Sequence, residues 1–213
     1  MADFFSLGNR KDAFTKISLH VAQFPEYTRK VIDHVYLVKL HHWDEAIRQL
    51  SSKTLHELTP LDPEYIVAVV LPYLLSASQD PKNVHMRHGA ILGLAECILA
   101  LGEREQVIEK FVSTNLAQAI AEIVPTIEKK RLYRGRGGEV VRRAVCRLIQ
   151  CICASRIPLL ARQQVCYRLS CIYTLEASVL SETPSSRLNA GSALGFSRCL
   201  LTSSKPVNSR NCL

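Results

Sequence analysis

Apolar residues recur at helical spacing along most of the chain, separated by short polar breaks. One stripe, through residues 66–74, places apolar side chains at i, i+3, i+4, i+7 and i+8, on one face of a helix. Four more stripes follow similar spacing, through residues 43–58, 91–98, 116–127 and 141–152. No run alternates strictly between apolar and polar residues, so strands are not predicted. The chain is predicted to be all-α.

Local signals indicate where individual helices begin. Asp62 followed by Pro63 is typical of a helix start, with an N-cap acceptor and a proline in the first turn. Asn115 is predicted to cap the helix that follows it. Trp43 is predicted to open the stripe of residues 43–58. Together with the stripes, these signals predict a series of helices joined by short turns.

An arginine recurs early in alternate predicted helices, usually with a small residue three positions later. The set is Arg10, Arg48, Arg87 and Arg187, with Arg142 as a looser match. Most of these arginines are spaced near the ~40–47-residue period of two-helix solenoid repeats, with one insertion around residues 102–115. We therefore predict a HEAT-type α-solenoid of about four to four and a half helix pairs. The repeat array is predicted over residues 1–184, followed by a partial repeat and an irregular tail over residues 185–213.

Charge and cysteine content narrow the class of protein. The 213 residues include 27 basic and 19 acidic side chains, a net charge of +8, which favours nucleic acid, an anionic membrane surface or an acidic protein as partner. The densest apolar stretches are shorter than the ~20 residues that a bilayer requires, so no transmembrane segment is predicted. Eight cysteines without an export signal or a C-x-x-C pair favour reduced, buried thiols in a cytoplasmic protein over a zinc or redox site.

No motif in the sequence indicates catalysis. His85 and His88 are three residues apart and could contact one metal ion, but exposed or capping histidines are the preferred interpretation. Ser192 lies one position too early for a nucleophile elbow. The glycines at 135, 137 and 138 lack the spacing of a phosphate-binding loop. The chain is predicted to be no enzyme and to hold no cofactor or metal.

The most unusual segment chemically is KKRLYRGRGGEVVRR, residues 129–143, which we call the basic turn. Its cations are Lys129, Lys130, Arg131, Arg134, Arg136, Arg142 and Arg143, against the single acid Glu139. The preferred interpretation is a solvated helix end, a glycine turn and the start of the next helix. The alternative is a turn that recognises carboxylates or phosphates through guanidinium groups and backbone N–H groups. Nucleic acid is not favoured as the partner, because Tyr133 alone interleaves the charge.

Two roles are predicted within the basic turn. Arg142 follows the arginine register and is expected to make an intramolecular contact between neighbouring repeats. The candidate protein-binding residues are the other six cations, Lys129, Lys130, Arg131, Arg134, Arg136 and Arg143.

Six collinear segments are distinctive enough to compare with a known family. They are DFFSLGNR (3–10), FPEYTRKVIDH (24–34), HWDEAIRQL (42–50), DPEY (62–65), HMRHGAILGLAE (85–96) and RLYRGRGGEVVRRAVCRLI (131–149). Over roughly residues 3–160 they resemble the central part of tubulin-folding cofactor D, a family of large HEAT-repeat chaperones. Because members of the family are several times longer, the resemblance implies that the chain is a fragment, a truncated isoform or a partial gene model.

The resemblance implies a function. Members of the family take up β-tubulin and hold it for assembly with α-tubulin, together with cofactors E and C and an Arf-like GTPase. The assembled complex stimulates GTP hydrolysis by tubulin. By resemblance the chain is expected to be a non-catalytic chaperone segment that binds β-tubulin, located in the cytoplasm and at the microtubule cytoskeleton. The alternative is a HEAT-type adaptor that binds nucleic acid or another acidic partner through the basic turn.

Overall fold

The computed structural model describes residues 7–103, 112–135 and 137–155. Within these ranges the backbone forms seven helices joined by turns, without a strand. The helices are α1 (7–22), α2 (25–39), α3 (Glu45–Leu58), α4 (Pro63–Ala77), α5 (Val84–Gly102), α6 (Thr114–Lys129) and α7 (Gly138–Ala154). The all-α prediction is confirmed for this part of the chain.

Of the seven described helices, three contain a π-helical turn, and α4 shows how such a turn changes which side chains are buried. The π-helical segments are Ala13–Ile17 in α1, His34–Lys39 in α2 and Ile66–Val70 in α4. In α4 the wide turn directly precedes Pro72, which has no N–H to donate and whose ring crowds the preceding turn. The wide turn also rotates the side chains relative to a regular helix. Val69, predicted to be part of the apolar stripe, is therefore 41% exposed, while Leu71 is buried.

Side-chain oxygens cap the starts of α3, α4, α5 and α6. The carboxylate of Asp62 accepts a hydrogen bond from the Tyr65 N–H at 3.1 Å, which confirms the predicted cap of α4. At the start of α6 the cap is Ser113, whose Oγ accepts from the Leu116 N–H at 3.2 Å. The predicted cap at Asn115 is wrong, because Asn115 already lies in the first turn of α6.

Trp43 lies in the turn before α3 and is 74% exposed. The spacing placed it one helical turn before Ile47, but Asp44 is the N-cap of α3 and has an extended backbone conformation. The helical register therefore does not continue back to Trp43. The buried face of α3 begins at Ile47 and continues to Leu58, so the predicted position of Trp43 on that face is wrong.

The helices pack in two rows. In the first row α1 contacts α3, α3 contacts α5 and α5 contacts α7. In the second row α4 contacts α6, and the Tyr36 ring of α2 meets the Tyr73 ring of α4 edge-on, with centroids 5.2 Å apart. Each helix of the first row carries a register arginine within its first two turns: Arg10, Arg48, Arg87 and Arg142. The HEAT-type interpretation stays a prediction, and the predicted boundary at residue 184 lies outside the described residues.

The helix α5 forms the centre of the described core and contacts α3, α4 and α7. By length and composition its 19 residues could cross a membrane, so the expectation that every apolar stretch is too short was wrong. However, 72% of this apolar stretch is buried inside the protein, as expected for a core helix. Close packing extends to its backbone at Gly89, where a Cβ would lie 1.6 Å from the Leu40 carbonyl oxygen.

Candidate protein-binding site

The basic turn joins the end of α6 to the start of α7. After Lys129 the chain passes through Arg131, whose φ of 53° lies in the left-handed region. Gly137 caps α7 with a φ of 77°, a conformation that glycine adopts without a steric penalty. At Gly138 a Cβ would lie only 2.1 Å from the Tyr133 carbonyl oxygen. These two glycines therefore allow the tight return of the chain into α7.

Two of the predicted binding residues are held by other parts of the protein. Lys130 Nζ donates to Gln79 Oε1 at 2.8 Å, which ties the basic turn to the turn before α5. Arg143 Nη2 lies 3.3 Å from Glu45 Oε1 at the start of α3. Arg136, a third predicted binding residue, lies outside the described residues.

The other predicted binding residues carry the available positive charge. Lys129, Arg131 and Arg134 are exposed and have no ion-pair or side-chain hydrogen-bond partner in the described ranges. Arg142 is also exposed and donates to the Tyr133 carbonyl at 3.4 Å, so it contacts the turn that precedes its own helix. Exposed cations at the end of α6 complement the negative end of the helix dipole and attract acidic groups in solution.

Sequence analysis missed an ion-pair network behind the basic turn. The Glu96 side chain of α5 is 10% exposed and accepts from Arg147 Nε of α7 at 2.9 Å. His56 Nδ1 of α3 lies 3.5 Å from the other Glu96 oxygen. A glutamate inside the apolar run of residues 89–101 was the available signal, since a buried carboxylate requires a partner. The network joins three helices of the first row.

Hydrogen bonding and burial oppose each other within this network. The hydrogen bond to Glu96 raises the pKa of His56, although burial of the ring acts in the opposite direction. Burial alone would raise the pKa of Glu96, but hydrogen bonds from His56 and Arg147 hold that pKa below its usual value. Both shifts favour the charged pair.

His88 is buried between α3 and α5, so the preferred interpretation of an exposed or capping histidine is wrong. Its Nδ1 accepts a hydrogen bond from Nε of Arg48, itself buried, at 2.9 Å. Burial and the positive charge of Arg48 lower the pKa of His88 to about 3, so the ring is neutral at physiological pH. Within the described ranges, no three His, Cys, Asp or Glu side chains are grouped to hold a metal ion.

An open cleft of about 280 Å³ lies along α5, between α3 and α7. His88 and Leu92 of α5 are among its lining residues. The Arg143–Glu45 ion pair joins its two sides, and Glu96 is engaged by Arg147. Among the charged residues of the cleft, exposed Lys53 has no ion-pair or hydrogen-bond partner in the described ranges, whereas the basic turn groups three such cations, Lys129, Arg131 and Arg134.

Sequence similarity connects the chain to one kind of chaperone. Over 153 residues, 71% of its length, the chain is 35% identical to tubulin-specific chaperone D of Dictyostelium discoideum. The chain is a tubulin-specific chaperone D-like segment. This chaperone D-like segment spans 10% of the length of that relative. No family model and no solved structure matches the chaperone D-like segment.

Proposed function

We propose that the chain is a non-catalytic part of a tubulin-folding chaperone, which binds β-tubulin and supports assembly of the α/β-tubulin heterodimer. The similarity to tubulin-specific chaperone D is the observation that carries this proposal. Because the chain spans a tenth of that relative, we assign to it a contribution to binding and not the whole activity.

The proposed architecture is a HEAT-type α-solenoid. Two features support it: the helices pack in two rows, and the register arginines recur in successive helices of the first row. Two of these arginines also reach the next member of that row. Arg10 Nη1 pairs with Asp44 at 3.2 Å, and Arg48 Nε donates to His88 at 2.9 Å. A stack of this kind offers long ridges and turns to a partner protein.

The proposed contact region is the basic turn. Its support is the positive charge of Lys129, Arg131 and Arg134, which are exposed and find no ion-pair partner in the part of the chain that the structure describes. Cations of this kind accelerate the encounter with an acidic protein and orient it more than they prolong the complex. We assign this role to the basic turn in the binding of β-tubulin.

The larger assembly is part of the same proposal. We infer that the chaperone containing this segment works in the cytoplasm and at the microtubule cytoskeleton, with cofactors E and C and an Arf-like GTPase. Stimulation of GTP hydrolysis by tubulin belongs in this proposal to the assembled complex. The six segments that resemble cofactor D support these assignments.

A retention experiment tests the proposal. The full chain is immobilised and incubated separately with the tubulin heterodimer and with β-tubulin released from the chaperonin. We expect β-tubulin to be retained. Failure to retain either form would overturn direct binding by this segment.

The nucleic-acid alternative requires a separate titration. Single-stranded RNA is titrated at several salt concentrations, because log K falls by ~0.7 per phosphate contact per tenfold rise in salt. Steep salt dependence of RNA binding, with no retention of β-tubulin, would support the adaptor instead.

A further inference from the structure

Three turns lie side by side along one edge of the first row of helices. Residues 40–44 precede α3, residues 78–83 precede α5, and the basic turn precedes α7. Lys130 of the basic turn donates to Gln79 of the middle turn at 2.8 Å. Gly137 also packs on the first residue of α5, where a Cβ would meet the side chain at 3.0 Å. We call this edge, with all three turns, the Trp43 edge.

The turn before α3 presents an indole ring to solvent. Trp43 is 74% exposed, and its ring lies 5.3 Å from the ring of His42. The Trp43 carbonyl accepts a hydrogen bond from buried Arg48 at 2.8 Å, so the backbone beneath the indole is anchored to the core. Tryptophan is enriched among the residues that dominate binding energy in protein interfaces. A fixed, exposed indole is therefore a suitable anchor for a partner.

The acids near Trp43 are already engaged within the protein. Asp44 pairs with Arg10 at 3.2 Å, and Glu45 pairs with Arg143 at 3.3 Å. The carboxylate of Asp80 accepts two backbone N–H groups of its own turn, at 2.7 and 3.1 Å. These pairings neutralise or occupy three carboxylates that would otherwise repel an acidic partner, and the exposed Glu139 of the basic turn is outnumbered by the cations described next.

The cations of the same edge are not all engaged. Lys129, Arg131 and Arg134 are exposed and have no partner in the described ranges. Guanidinium groups bind carboxylates through paired hydrogen bonds, which favours an acidic protein segment as the occupant. The edge thus combines uncompensated positive charge with an apolar anchor.

We propose that the Trp43 edge binds an extended acidic protein segment that carries an apolar side chain among its carboxylates. The apolar side chain packs on Trp43, and the carboxylates face Lys129, Arg131 and Arg134. This proposal rests on the proposed function in one respect, namely that the segment belongs to the protein the chaperone binds. Nucleic acid fits the edge less well, because binding single strands relies on several stacking aromatic side chains.

The experiment uses Trp43 as its own reporter, since it is the single tryptophan of the chain. The full chain is titrated with two fluorescein-labelled peptides, Gly-Glu-Glu-Glu-Leu-Glu-Glu-Glu-Gly and the same peptide with serine for leucine. With the leucine peptide, we expect the tryptophan emission to shift to shorter wavelength as the indole leaves water. The serine peptide should bind about tenfold more weakly. Unchanged emission at saturation would overturn the proposal, and this arm requires no variant.

Variants then separate the anchor from the charge. Trp43→Ser should weaken leucine-peptide binding about tenfold and remove the preference for leucine over serine. Lys129→Gln with Arg134→Gln should weaken both peptides and reduce the salt dependence of binding. Lys30→Glu is the matched control, because it lowers the net charge by the same two units at an exposed position of α2 near its start, away from these three turns, and should leave binding unchanged. If the parent and Trp43→Ser bind the leucine peptide equally well, the proposal that the Trp43 edge binds this segment is overturned.

Two further outcomes distinguish this proposal from the proposed function. Peptide binding with the emission shift, but without retention of β-tubulin, would support the Trp43 edge and overturn the proposed function. Equal retention of β-tubulin by the parent and by Trp43→Ser would overturn the edge and leave the proposed function intact. If an oligouridylate displaces the peptide and binds more tightly than the leucine peptide, the proposed acidic-segment site is overturned in favour of a nucleic-acid site.

Discussion

Burial controls the reactivity of individual cysteine side chains in the core. Cys97 and Cys151 are free and buried, and burial raises the pKa of each thiol to about 12. Alkylating reagents attack the thiolate, which is scarce at such a pKa. We expect iodoacetamide to leave both side chains unmodified in the folded chain and to modify them in concentrated urea, as measured by peptide mass spectrometry. Equal modification under both conditions would contradict this account.

A second residue-scale prediction concerns the contact between α5 and the turn before α3. In Gly89→Ala the new Cβ would collide with the Leu40 carbonyl group, so the helix must move. We expect the free energy of unfolding to fall by about 1–3 kcal/mol or more, measured by urea denaturation. Met86→Ala is the matched control, because Met86 is half-buried on the same helix and its truncation creates no backbone collision, so it should cost less stability than Gly89→Ala. Similar losses in the two variants would rule out backbone contact as the cause.

Between helices, the His56–Glu96 contact makes stability depend on pH. The folded-state pKa of His56 is raised, so its contribution to stability is complete below the unfolded pKa of about 6.5 and disappears as pH rises through the folded pKa. The difference in unfolding free energy between the parent and His56→Gln should therefore be largest below about pH 6.5 and shrink as the pH rises above that value. Urea denaturation at each pH measures it. In a Glu96→Gln background this pH dependence should become smaller, with a remainder from Glu103, whose Oε1 lies 3.8 Å from His56 Nε2. An undiminished pH dependence would contradict the proposed cause.

The two ion pairs of α7 are expected to differ in strength. Arg147→Ala leaves the Glu96 carboxylate, 10% exposed, without its guanidinium partner, and should cost about 1–3 kcal/mol of unfolding free energy. Arg143→Ala breaks a pair whose side chains are 62% and 36% exposed, and should cost about 0–1 kcal/mol. Parallel urea denaturation of the two variants gives the comparison. A larger loss for Arg143→Ala would contradict the ranking by burial.

The sequence was sufficient to predict the helices and much of their buried faces. The periodicity of apolar residues indicates helices, because side chains three and four positions apart share a helical face. It failed at Val69, where a π-helical turn changes the spacing, and at Trp43, where an N-cap ends the register. The local sequence pattern also could not predict which residues contact Glu96 and Arg48, because each contact joins residues about 40 or more positions apart.

At the scale of the whole molecule, the candidate site was only partly predictable. The basic turn is local in sequence, so its charge was visible without a structure. How α3, α5 and α7 pack determines that Arg143 pairs with Glu45. The same packing places the basic turn and the turn of Trp43 on one edge. Tertiary packing thus divides one run of cations into residues that hold the fold and residues that remain available to a partner.

The available cations should act mainly on the rate of association with β-tubulin. In Lys129→Gln with Arg134→Gln, we expect the fold to remain intact, because both side chains are exposed and without partners in the described ranges. Association measured by stopped-flow at low salt should slow severalfold, while the dissociation rate changes little, since steering charges act before the complex forms. The difference should diminish as salt screens the charges.

Lys30→Glu provides the matched control for charge, because it places a negative side chain on α2, near the ends of the helices that lie away from the basic turn. If net charge alone steers the encounter, this control should slow association as much as the basic-turn variant does. If position matters, the control should associate at nearly the parental rate, because attraction is strongest within a Debye length of the cations. We expect the second result. A basic-turn variant that associates as fast as the parent at low salt would instead identify residues 129–143 as a solvated helix end.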